Sequence, residues 1–223
     1  MDRRNRAAVK APAPTDRPRV ASRSAPATRR GRLTREKLLA AARAVFGSKP
    51  LSDARVTDIT AAAGVASGTF YTYFDSKEEI FHEIAAQVLQ EMSDSARGGP
   101  EEAALDPAVR VERATRRYFE CVRRNARVAR SIEESWGREG GVGRSRRAAL
   151  IRGVKRIEKL IVKLQRSGVC NPGINPWATA LALHAMNVSV AYDHLVHRDA
   201  PEETDALLEA TTRIWCATLG FGD

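Results

Sequence analysis

Residues 64–74 read GVASGTFYTYF. The segment holds four of the chain's ten Phe and Tyr residues, two glycines, two threonines and no charge. Wound as a helix at about 100° per residue, it places Phe70 and Phe74 about 40° apart on one face. Gly68, Thr69, Thr72 and Tyr73 fall on the other side, with Tyr71 at the flank. A two-turn helix is not stable alone. Phe70 and Phe74 must therefore dock it, leaving the hydroxyl-bearing face to look outward.

The flanking sequence punctuates this helix on both sides. Residues 56–63 (VTDITAAA) suit a short helix, and Gly64 suits the left-handed position that ends one. Two short helices joined by a tight turn make a helix-turn-helix, whose second helix enters the DNA major groove. Downstream, Ser76 and Glu79 have the spacing of a capping box. The helix it opens is expected to reach about residue 92 and to bury Ile80, Ile84, Val88 and Leu89. Upstream, Leu38, Leu39, Ala42, Val45 and Phe46 form one face of a first helix, with Thr34 as its expected N-cap and Ser48-Lys49-Pro50 as its stop.

The stretch VTDITAAAGVASGTFYTYFDSKEEIF resembles the N-terminal domain of TetR-family transcriptional regulators. Order, spacing and helix punctuation agree over about residues 34–84, while LLEATTRIWCATLGF near the C-terminus is similar only in kind. The resemblance implies that Thr69 touches phosphate or base and that Tyr71 and Tyr73 contact phosphates. It implies that Lys77, at the positive end of the fourth helix, grips another. Gly68 would let the backbone approach DNA closely. Thr72 shares the exposed face, where threonine methyls can meet thymine methyls. Ala66 and Ser67 depart from the family, which often has Ser and then Lys or Arg there. Arg55 stands where a capping Thr or Ser is frequent, and could reach a phosphate instead.

Basic charge is concentrated ahead of this domain. Residues 1–37 carry twelve basic and three acidic side chains, which is +9 of the chain's net +10. Four prolines between positions 12 and 26, and no apolar periodicity, mark residues 1–30 as a disordered basic arm. An Arg- and Ser-rich start also suits an organellar transit peptide. By contrast residues 32–92 are near neutral, with seven bases against eight acids. The arm is thus expected to supply much of the affinity for a nucleic-acid polyanion.

Across all 223 residues no apolar run approaches the roughly 18–20 a membrane helix needs. Three scattered cysteines suit neither a disulfide scaffold nor a zinc module, so a reducing cytoplasm is expected. No motif calls for a cofactor, and no nucleophile–base set or carboxylate pair suggests an enzyme.

After an expected break at residues 93–100, helical patterns continue without period-two alternation, so the fold expected is all-α. Asp106-Pro107 opens a helix to about residue 125, and others are expected at about 128–136, 146–166, 176–197 and 204–219. Residues 137–143 are expected as a glycine-rich loop. The domains expected are a DNA-binding unit over residues 31–92 and a helical ligand-binding and dimerisation unit over 93–223.

By resemblance, the last two helices pair in a homodimer and the others hold a small-molecule effector. Such a dimer would set two recognition helices about 34–36 Å apart on a palindromic double-stranded operator. Expected ligand contacts are Tyr118, Phe119, Cys121, Val122, Ile132, Trp136, His184 and Met186, a set that suits an apolar or aromatic molecule. His194 and His197 have metal-ligand spacing but equally suit a helix C-terminus. The function expected is a ligand-released repressor. The alternative is a DNA-binding protein whose C-terminal domain serves dimerisation only.

Overall fold

The computed structural model describes residues 28–135, 141–198 and 203–221, and among these every regular element is helical. Those residues form α1 (Arg29–Ser48), α2 (Val56–Ala63), α3 (Ser67–Tyr73), α4 (Lys77–Ser95), α5 (Pro107–Arg124), α6 (Ala126–Glu134), α7 (Gly141–Arg166), α8 (Pro176–Tyr192) and α9 (Thr204–Leu219). A 3-10 turn (Pro100–Ala104) precedes α5, and a π-helical turn (Asp193–Arg198) continues α8.

Several boundaries differ from expectation, each for a local reason. Thr28 rather than Thr34 caps α1, its Oγ1 accepting from the Gly31 N–H at 3.1 Å. Thr34 lies within the helix and donates to the Arg30 carbonyl, an arrangement open to hydroxyls inside helices. The last two residues of the expected arm are therefore helical, and residues 1–27 lie outside those described. Helix α4 runs on to Ser95 because Leu89 and Met92 are buried, which shortens the expected break. Asn125 ends α5 and leads directly into α6, its carbonyl accepting from Ala129 at 2.8 Å. Helix α7 starts at Gly141, inside the expected glycine loop. Glycine costs a helix about 1 kcal/mol, and burial of Val142 (5% exposed) offsets it here.

The first and larger core joins α1–α4 to α5, α6 and the end of α8, through Phe46, Phe70, Phe74, Phe81, Phe119 and others. Phe46 and Phe81 meet edge to face, their ring centroids 5.3 Å apart. Arg35 reaches from α1 to Glu83 on α4, with one bond of 2.9 Å, and lies over the Phe74 ring. A second core, containing Ile161, Leu183, Trp215 and Leu219, joins α7, α8 and α9. The same helix, α4, therefore packs against α1 near its start and against α5 and α7 further along.

Candidate nucleic-acid interface and internal cavity

The α2–α3 turn is built from its glycine. Gly64 adopts φ 65°, ψ 38°, its N–H bonds to the Ala61 carbonyl at 3.2 Å, and the Val65 N–H bonds to Thr60 at 3.0 Å. These bonds satisfy the last carbonyls of α2 and turn the chain into α3. Phe70 (0% exposed) and Phe74 (1%) hold α3 on the core, as the spacing predicts.

Outward, Ser67, Gly68, Tyr71 and Thr72 are exposed, and Thr69 and Tyr73 are half-buried. Tyr73 also packs against the core, so its ring is shared between inside and outside. Tyr71 stands edge-on to Phe70 at 5.4 Å. A Cβ added at Gly68 would meet nothing within 4 Å, so no contact among the described residues requires glycine there.

Arg55 is exposed at the N-cap of α2, where its side chain has no acceptor to offer. The cap comes from Asp58 instead, whose carboxylate accepts from the Arg55 N–H at 2.9 Å. Lys49 bonds to the same carboxylate, and these two bonds, Lys49 first, hold Asp58 below the usual carboxylate range. Ser76 accepts from the Glu79 N–H at 3.2 Å, while the Glu79 carboxylate reaches back to the Asp75 N–H.

Lys77 is placed differently from a free phosphate grip. Its ammonium donates to the carbonyls of Leu51, Ser52 and Ala54 at 2.8, 3.2 and 3.0 Å. Those bonds use all three of its donors. The lysine thereby ties the start of α4 to the turn that precedes α2.

A cavity of about 1100 Å³ lies among the C-terminal helices. Leu89 and Met92 of α4, Val111 of α5, Ile157 and Leu160 of α7 and Val188 of α8 give it apolar walls. Of the eight expected ligand contacts, Tyr118, Ile132 and His184 line it. Phe119, Cys121 and Val122 pack in the first core instead, and Met186 packs against the second. Helix α5 serves core and cavity at different heights, which periodicity does not distinguish. Trp136 lies outside the described residues.

The cavity is also charged, which the expected ligand contacts did not include. Arg110, Arg117, Arg146, Arg147 and Arg156 line it, against Glu102, Glu133 and Asp193. Arg117 and Glu102 pair through two bonds of 2.6 and 3.1 Å, and that pairing holds the Glu102 carboxyl below its usual range. Arg146 lies 3.7 Å from Glu133. Burial pushes the Tyr192 phenol up to about 12 and the Tyr118 phenol higher still, so both remain protonated donors. Burial, and then the nearby Arg156 charge, lower the pKa of His184. Arginine-rich faces on α5 and α7 are visible in the sequence, but nothing there says which guanidiniums turn inward.

The remaining expectations resolve simply. Burial raises the pKa of the Cys121 thiol, which keeps it protonated in the core. His194 shares a hydrogen bond with Thr204, whereas His197 faces Glu133 at 2.9 Å, so the two histidines are engaged separately. Among the described residues no helix is long and apolar enough to cross a membrane.

Comparison with known proteins agrees with this geometry. Residues 38–84 match the family model for bacterial regulatory proteins of the tetR family. An HTH-type transcriptional regulator of Bacillus subtilis, YvdT, is 43% identical over 63 residues, 28% of this chain and 32% of that protein. The HTH-type transcriptional repressor DhaR of a Mycobacterium species is 31% identical over 78 residues, 35% of this chain and 37% of that one. The chain thus matches about a third of the length of these curated relatives. A solved TetR-family regulator from Mesorhizobium loti shares the fold with a TM-score of 0.68 at 22% identity, over 85% of this chain and 98% of that one. Residues 38–84 thus carry the helix-turn-helix of the tetR family of bacterial regulatory proteins, on an all-helical fold shared with solved TetR-family regulators.

Proposed function

We propose that the protein is a homodimeric repressor that binds a palindromic operator and is released when a small molecule enters the cavity. The observation that carries this is the double placement of α4. Its first turn holds the helix-turn-helix through Lys77, and its far end lines the cavity with Leu89, Met92 and Ser93. Occupancy of the cavity thereby bears on the helix that positions α3.

Ser67, Gly68, Thr69, Tyr71 and Thr72 form the groove-facing surface, with Tyr73 at its edge and Arg55 beside it. Lys77 acts on DNA through the turn it braces. Tyr118, Ile132 and His184 contact the effector. Dimerisation uses α8 and α9, where Trp177 (56% exposed) and Ile214 (49%) stand on surfaces otherwise rich in alanine. Helix α8 is apolar on nearly all sides, a pattern suited to burial on two faces.

The test is operator selection from random duplexes with the full chain, followed by mobility shift against a compound library. A symmetric site released by a cavity-binding compound is the expected result. Operator binding that no stabilising compound alters would leave the C-terminal helices to dimerisation alone, and failure to select any duplex would overturn the DNA-binding reading.

A further inference from the structure

Three of the cavity's arginines, Arg110, Arg147 and Arg156, have no ion pair among the described residues, and burial bears measurably on Arg156. Arg117 is paired with Glu102, and Arg146 sits near Glu133. Arg156, midway along α7, lines the same cavity, and among the described residues no carboxylate lies within ion-pair distance of it. Among the described residues its one direct bond is from Nη1 to the carbonyl of Ser93, near the end of α4. Burial and then the Arg97 charge lower its pKa, with Asp94 opposing the shift. A half-buried guanidinium with spare donors gains from a counter-charge that meets it.

The surroundings suit an anion's head group. His184, on α8, also lines the cavity, and Arg156 is among the charges acting on it. Its ring packs so closely on Gly153 that a Cβ there would come within 2.4 Å of Cε1. The glycine thus gives the imidazole room between α7 and α8. A neutral imidazole carries one N–H donor. Around these polar groups the walls are those of Val111, Ile157, Leu160 and Leu164, which favour an apolar body.

We infer that the cavity takes an apolar molecule bearing a single carboxylate-type head, and that Arg156 is the residue that anchors that head. This rests on the proposed effector role of the cavity and deepens it. A guanidinium and a carboxylate match geometrically and pair through charge-assisted bonds. Because Arg156 also bonds to Ser93, the anchored head bears directly on the last turn of α4. The ligand's charge, and not only its bulk, thereby reaches the helix that carries the DNA-binding domain.

The test uses the full chain and two matched probe sets, titrated calorimetrically below micelle-forming concentrations. One set is decanoate, decanol and decyltrimethylammonium; the other is naphthalene-2-carboxylate and naphthalene-2-methanol. The expected result is that the carboxylate binds about tenfold or more tightly than its alcohol in at least one set. Arg156→Met should reduce the carboxylate to the alcohol's affinity while leaving the alcohol unchanged, and Arg156→Lys should keep part of the preference. Equal binding of acid and alcohol, preference for the ammonium, binding by neither probe set, or a preference that survives Arg156→Met would each overturn the assignment. Should Arg156→Met fail to fold by circular dichroism, the wild-type comparison of head groups decides alone. The effector reading stands or falls separately: a neutral compound that releases the operator would keep it while removing the anchor.

Discussion

Lys77 shows how one side chain's partners decide its role. As a phosphate grip it would contribute to the salt dependence of DNA binding, about 0.9 in slope per contact. Bonded to Leu51, Ser52 and Ala54, it acts as a brace. Lys77→Met is accordingly expected to cost about 1–2 kcal/mol in urea unfolding, while the salt slope of operator binding stays unchanged. A slope lowered by about one unit at unaltered stability would restore the direct contact. His184 makes a second case. Its folded pKa lies below the ordinary imidazole value of 6.5, so the stability it contributes is present above pH 6.5 and is lost as the pH falls below it. Between pH 7.5 and 5.5 the wild type should lose more unfolding free energy than His184→Gln. Glu102, held below the usual carboxylate range by Arg117, stays charged over that interval and does not obscure the comparison.

Among the elements, the α2–α3 unit contains two glycines with opposite requirements. Gly64 sits at φ 65° with open space where a Cβ would go, so Gly64→Ala meets backbone strain and no clash. The expected loss is about 1–2 kcal/mol, read from denaturant unfolding, with Gly64→Asn milder. Gly68 has ordinary helical geometry and an open face, so Gly68→Ala should hold or raise the melting temperature through helix propensity. If α3 enters the groove, that methyl meets the DNA, and operator affinity should fall in a mobility-shift assay. Undiminished affinity would place α3 elsewhere. The aromatic pair Phe70 and Phe74 was legible in the sequence because a short helix has few ways to bury itself. The start of α7 was not, because the burial of Val142 overrides the intrinsic cost of Gly141 and Gly143 as helix residues.

In the whole molecule, α8 and α9 leave Trp177 and Ile214 exposed while Leu183, Leu208, Trp215 and Leu219 fill the interior. The proposed homodimer would pair these outer faces isologously. Ile214→Glu is expected to shift the protein toward monomer in sedimentation analysis and to weaken operator binding with it, at little cost to the monomer's own fold. A variant that stays dimeric would assign the interface to other helices. The continuity of the first core from α1 through α4 into α5 and α6 adds a mechanical point. Rigid packing transmits small displacements rather than absorbing them, so the cavity and α3 are joined through packed side chains as well as through α4.

The sequence by itself determined the helical class, the helix-turn-helix, the inward pair Phe70 and Phe74, and the outward hydroxyls of α3. Each follows from local periodicity, capping and turn chemistry, which act over a few residues. Tertiary structure alone decided that Lys77 turns to backbone carbonyls, that Phe119, Cys121 and Val122 belong to a core, and that Arg156 faces the cavity. Those outcomes depend on which helices meet and at what height along their axes. A guanidinium on an amphipathic helix has the same local sequence signal whether it faces water or a pocket, and only the packing of α4, α7 and α8 around it settles which.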